Sequence, residues 1–189
     1  MNTDTLAAAF ASTRAVLANV TADQYDKKTP CASWDVRALI NHIVGGSHWF
    51  AAIARAGEPP AEGAEAPDFT VGDPLAAFDE GIAASVAAFA DPDVATKTMK
   101  LPFGEMPGAA FMHIAATDTF THGWDLARAT GQDSDLDPEL AARLLASSRQ
   151  AMSDSFRGPD PTSPFGPAVD VPESAPAADK LAGFLGRQP

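Results

Sequence analysis

Cysteine occurs once in the 189 residues, at Cys31. A single thiol cannot staple a chain internally, so a disulfide scaffold is excluded, and the scarcity fits a reducing, cytoplasmic setting. Basic residues are also few: 13 Lys+Arg stand against 25 Asp+Glu, a net charge of −12. Affinity for nucleic acid comes mainly from neutralising phosphates, and an anionic membrane surface demands the same positive sign, so neither partner is expected. No stretch approaches ~18 consecutive apolar residues, so no membrane span is expected. The start, Met1-Asn2-Thr3-Asp4, lacks a basic segment leading into an apolar one, so no secretory signal is read there. What remains is a chain with 46% hydrophobic and 20% charged residues, a globular balance that suits one domain over 1–189. At this length about 70% of the unfolded surface can be buried, enough for a core without staples.

Alanine is abundant and β-branched runs are scarce, which tilts the chain towards helix. Residues 4–20 predict a first helix, with Leu6, Ala9, Phe10, Leu17 and Val20 on one face and Thr13 as its one polar interruption. A loop over 21–33 leads to Ser33, the expected cap of a second helix over 34–56, lined by Val36, Leu39, Ile40, Ile43 and Phe50. Pro, Gly, Glu and Ala dominate 57–72, which reads as an exposed connector. A third helix is expected over 74–90, buried through Leu75, Phe78, Ile82, Val86 and Phe89. Residues 94–107 suggest a small hairpin. A fourth helix over 108–130 stops at Gly131, and a fifth runs over 138–156 with Pro138 at its first position. The proline-rich stretch 158–173 reads as irregular, and 179–185 as a short last helix. The fold class expected is all-α, a four-helix bundle with short accessory helices.

The four histidines are His42, His48, His113 and His122. Asp118 and His122 are four residues apart, hence on nearly one helix face, and they interrupt the otherwise apolar line Phe111, Ala115, Leu126, Ala129. A carboxylate on a face that should look inward needs neutralising, and a metal ion held with a third ligand from a facing helix does so. His42 lies about one wheel position off the apolar line of the second helix and can point obliquely inward. His48 is turned about 120° from it, and His113 about 180° from His122. The candidate metal ligands are therefore His42, Asp118 and His122. Two histidines and one carboxylate leave a coordination position open, as catalytic sites do. The plainer alternative is an Asp–His hydrogen bond near a helix surface. Asp125, three residues after His122, is open to two roles, orienting the imidazole or capping at the surface. Arg37 and Arg128 are expected to pair with Asp35 and Asp125 or to meet an anionic substrate. Trp34, Trp49 and Trp124 read as core aromatics. Cys31 lies eleven residues before His42, ~16 Å along a continuous helix, and is expected to be structural and away from the ion.

The segment running Thr29-Pro30-Cys31-Ala32-Ser33-Trp34-Asp35 through His42, and that running His122-Gly123-Trp124-Asp125 through Gly131, resemble the two metal-binding segments of actinobacterial mycothiol-dependent maleylpyruvate isomerase-like proteins. These belong to the DinB/YfiT-like metalloenzyme superfamily. The ending from Asp179 to Arg187 resembles the tail of a short subgroup described only as metal-binding. The resemblance implies a DinB-like bundle whose metal ligands are His42, Asp118 and His122, the set the helix geometry selects. At the acidic position the family commonly has Glu, one methylene longer than Asp118. The longer members carry a further domain that contributes to the isomerase site, for which this chain has no room. The implied cofactors are a divalent metal, Zn first, with Ni or Fe as alternatives, and mycothiol or a similar low-molecular-weight thiol. The implied activity is that of a thiol S-transferase or isomerase acting on a small electrophile through a metal-bound thiolate. The alternative is a non-catalytic helical bundle that binds a metal or small ligand with a weakened site. A homodimer through a helix face is the expected assembly.

Overall fold

The structure is a computed structural model that describes residues 3–60, 67–159, 163 and 165–189. Helices α1 (Thr3–Leu17), α2 (Val36–Ala56), α3 (Pro74–Phe89) and α4 (Gly108–Thr130) form the bundle. Both α1 and α2 pack against α3 and α4, so α2 and α4 are neighbours in the bundle. Strands β1 (Thr98–Leu101) and β2 (Gly104–Pro107) make the antiparallel hairpin expected between α3 and α4, paired from Thr98 with Pro107 to Leu101 with Gly104. Helices α5 (Pro138–Ala151) and α6 (Ala177–Phe184) pack on each other and against α4. No helix among the described residues is long and apolar enough to cross a membrane.

The core follows the expected faces in α1, α2 and α4. Leu6, Phe10, Leu39, Ile40, Phe111 and Leu126 are fully enclosed, and Phe10 meets Phe78 edge to face at 5.8 Å. Thr13 breaks the apolar face of α1 because it is a junction: its hydroxyl donates to the Thr119 carbonyl of α4 at 2.8 Å. The close approach depends on Gly123, where a Cβ would stand 2.3 Å from Thr13 Oγ1 and 3.1 Å from its Cα.

Several boundaries differ from expectation. Helix α1 ends at Leu17, three residues early. Asp35, not Ser33, caps α2, its carboxylate accepting the Ala38 N–H at 2.8 Å, since the chain before it pairs back on itself: Val36 N–H donates to the Lys27 carbonyl and Arg37 N–H to that of Tyr25. Helix α3 buries Phe78 and Phe89 as expected, packs Leu75, Ile82 and Val86 half-covered against the core, and adds Gly81 and Ser85 to its buried face. Ser85 donates to the Ser47 carbonyl at 2.6 Å, so small side chains bring α3 onto α2. Helix α5 ends at Ala151, and Asp154–Phe156 forms a separate 3-10 turn. In the connector 57–72, residues 61–66 lie outside the described residues, while Phe69 packs against the core rather than standing exposed. Asn41 holds it there, accepting the Phe69 N–H at 2.8 Å. Of the stretch 158–173, residues 160–162 and 164 lie outside the described residues; Phe165 packs on the core.

Candidate metal centre

Helices α2 and α4 bring His42, Asp118 and His122 together, their ligating atoms all within 4.8 Å of one another. Asp118 sits between the imidazoles: its Oδ2 is 3.6 Å from His42 Nε2 and its Oδ1 is 3.4 Å from His122 Nε2. Nitrogen and oxygen atoms bonded to one tetrahedral ion at about 2.0–2.1 Å stand about 3.3 Å apart, and each imidazole nitrogen lies close to that spacing from an Asp118 oxygen, a different oxygen for each ring. The shorter arm of Asp118 does not open the cluster. His42 Nε2 is enclosed and has no hydrogen-bond partner among the described residues. Its nearest acceptor, Asp118 Oδ2 at 3.6 Å, is beyond hydrogen-bond distance, which is costly for a buried imidazole nitrogen, and a cation between it, Asp118 and His122 is what the donor set suits.

Electrostatics tie the three together. Burial pushes the Asp118 carboxyl up, but His122 and then His42 outweigh it and hold it well below the usual carboxylate range. Burial pulls the His122 imidazole down, and Asp118, followed by hydrogen bonding to Asp125 and Cys31, reverses this and raises it well above the ordinary histidine value. Asp118 and Asp125 thus favour positive charge at His122.

Behind His122 is a second set of groups. Asp125 is wholly buried, and its Oδ2 accepts from His122 Nδ1 at 2.9 Å. The orienting role, open in the sequence, is the one observed. Its charge partner is Arg187, not Arg128: Nε reaches Oδ1 at 3.3 Å and Nη2 reaches Oδ2 at 3.1 Å. Arg128 lies over the Trp124 ring instead, and Arg37 donates to Thr70 at 2.6 Å rather than pairing with Asp35. Burial pushes the Asp125 carboxyl up, and Arg187 and His122 override this and hold it down.

Cys31 corrects the expectation that it lies away from the centre. Its Sγ is 3.2 Å from Asp125 Oδ2 and 3.5 Å from Arg187 Nη2, and with His122 and Asp125 it forms a second group of closely spaced donor atoms. The ~16 Å separation held only for a continuous helix. Residues 29–34 are instead a tight turn, in which the Thr29 hydroxyl bonds to the Cys31 and Trp34 carbonyls at 3.0 and 2.9 Å. The same turn places Trp34 over the centre, its ring 4.5 Å from that of His42 and 5.4 Å from that of His122. Trp124 and Trp49 pack with the core as expected. His48 faces the Ala77 carbonyl at 2.9 Å and stacks on Phe69, and neither it nor His113 joins the cluster. Sequence reasoning missed Cys31, Trp34 and Arg187 as neighbours of His122; only the odd cluster of polar and aromatic types over 29–35 hinted at the first two.

Residues 6–127 match the sequence profile of the mycothiol maleylpyruvate isomerase N-terminal domain. Two uncharacterized proteins of Mycobacterium tuberculosis, from strains CDC 1551 / Oshkosh and ATCC 25618 / H37Rv, are each 44% identical to this chain over 173 residues, covering 92% of this chain and 90% of theirs.

Proposed function

This chain belongs to the DinB-like family of mycothiol maleylpyruvate isomerase N-terminal domains, and on that footing we propose that it binds one divalent metal ion, Zn²⁺ by preference, through His42, Asp118 and His122, and uses a low-molecular-weight thiol such as mycothiol against a small electrophile. The observation that carries the reading is the enclosed His42 Nε2, which makes no hydrogen bond and faces Asp118 and His122. A divalent ion held there supplies positive charge that deprotonates a thiol near neutral pH and so makes it a nucleophile. The residues of the chain do the rest. Asp118 offsets the charge of the centre and joins the two imidazoles across α2 and α4. Asp125 holds the proton on His122 Nδ1 and leaves Nε2 free to ligate. Trp34 covers the two imidazoles with an apolar face, which lowers the local polarity and strengthens the charge interactions beneath it.

The test is thiol consumption. Protein loaded with Zn²⁺ is mixed with mycothiol and a chromogenic electrophile, beside protein stripped by a chelator. The reading predicts thiol-dependent loss of the electrophile that requires the metal and that disappears in His42→Ala. Metal binding without turnover over a broad set of electrophiles would leave a binding protein and contradict the transferase reading.

A further inference from the structure

The turn after α6 reaches back into the bundle. Leu185 closes the helix, and Gly186 takes a left-handed conformation, φ +88°. Its N–H donates to the Gly183 carbonyl at 3.0 Å, and the Arg187 N–H to that of Ala182 at 2.9 Å, a Schellman ending that reverses the chain. A Cβ on Gly186 would lie 2.6 Å from Gly166 Cα, so the reversal needs glycine on two counts. The reversal aims Arg187 inward, where only 9% of the residue stays exposed. There Nε and Nη2 bind both oxygens of Asp125, and Nη1 donates to the Leu185 carbonyl at 3.0 Å. Asp125 in turn faces His122 Nδ1 at 2.9 Å.

We infer that Asp125 and Arg187 are positioning residues of this centre, the turn after α6 acting through the Asp125 carboxylate to lock His122 with its proton on Nδ1 and its Nε2 lone pair aimed at His42 and Asp118. A carboxylate that receives both arms of a buried guanidinium is an acceptor only, so the ring must present N–H to it; Asp118, the other acceptor, stands further off at 3.4 Å from Nε2, so the single proton of the neutral ring goes to the 2.9 Å bond with Asp125. The tautomer is thereby fixed by a residue 65 positions further along the chain. This goes beyond the metal assignment: the effect on metal affinity rests on that reading, whereas the locked tautomer does not.

The experiment is done on the full chain. Nitrogen-15 spectra of the histidine rings are recorded on metal-free protein at a pH where His122 is neutral, and Zn²⁺ affinity is measured by competition with a chromophoric chelator. The variants are Arg187→Lys and the double Asp125→Leu/Arg187→Met, which removes the buried pair together and leaves no lone charge. The wild-type neutral ring should be in the Nδ1–H form. The double variant should move to the Nε2–H form that free imidazole favours and lose about 10–100-fold in Zn²⁺ affinity. Arg187→Lys, which keeps the charge, should retain the Nδ1–H form. A wild-type ring in the Nε2–H form overturns the inference without any variant, and so does a double variant with unchanged tautomer and affinity. If wild-type protein binds no Zn²⁺, the metal reading fails, and the tautomer comparison still decides this one.

Discussion

At Asp118 one carboxylate answers to two imidazoles, and that determines how the centre responds to pH. With no cation present, His122 keeps its proton to a pH well above the ordinary imidazole value, and Asp118 stays ionised well below the ordinary carboxylate value. A metal ion must displace the His122 proton, so acid competes with metal. The direction follows from the raised value: affinity climbs with pH through the ordinary histidine pKa, about 6.5, and goes on climbing until the raised pKa is passed. Calorimetric titration with Zn²⁺ in buffers of different ionisation enthalpy should show about one proton released per ion near neutral pH. It should also show affinity rising about tenfold per pH unit above 6.5. An affinity already flat above pH 6.5 would mean that His122 is not held in its protonated state by its neighbours. The i,i+4 spacing made Asp118 and His122 legible in the sequence, and the wheel added His42. Arg187 was not legible as a partner of Asp125, because no local period connects residues on different elements 62 positions apart. Cys31 was misplaced for a related reason: its distance was measured along the chain as a helix, while Thr29 ties the loop into a turn that folds it back.

Among the elements, the pairing of α1 with α4 positions the helix that carries Asp118 and His122 from behind. Gly123 follows His122 directly, and Thr13 fills the space its missing side chain leaves. Gly123→Ala therefore forces the two helices apart or drives Thr13 off its bond to the Thr119 carbonyl. Overpacking of this kind costs about 1–3 kcal/mol, opposed by the better intrinsic helix propensity of alanine, about 1 kcal/mol. Urea denaturation should show a net loss of stability, and a gain would mean that the contact relaxes freely. Helices themselves were legible because amphipathic periodicity is local. The large side chains of α3 were legible too, Phe78 and Phe89 being buried and Leu75, Ile82 and Val86 packed on the core, but the pattern did not show that Gly81 and Ser85 meet Ser47 of α2. The cap of α2 shifted by two residues because Ser33 belongs to the preceding turn and Asp35 meets the helix amides.

Across the whole molecule, the bundle gathers two helices, one turn and the segment after α6 around His122. A ligand that binds only this folded arrangement must stabilise it. At a free Zn²⁺ concentration a hundredfold above the dissociation constant, the gain is about 2.7 kcal/mol, visible as a raised melting temperature. The same addition should leave a His42→Ala/His122→Ala double variant where it was. A similar rise in the variant would place the stabilising ion elsewhere, and the net charge of −12 makes this control necessary, since an acidic surface attracts divalent cations without a site.

The central claim is that His42, Asp118 and His122 hold a metal ion. Elemental mass spectrometry tests it most directly, on untagged protein dialysed at about 1 M salt, where charge attraction at the surface is screened to about 3 Å. The account predicts about one equivalent of zinc, or of nickel or iron in its place, in the wild type, and none in the His42→Ala/His122→Ala variant. Wild-type protein that contains no metal, and takes up none when zinc is added back, would contradict it.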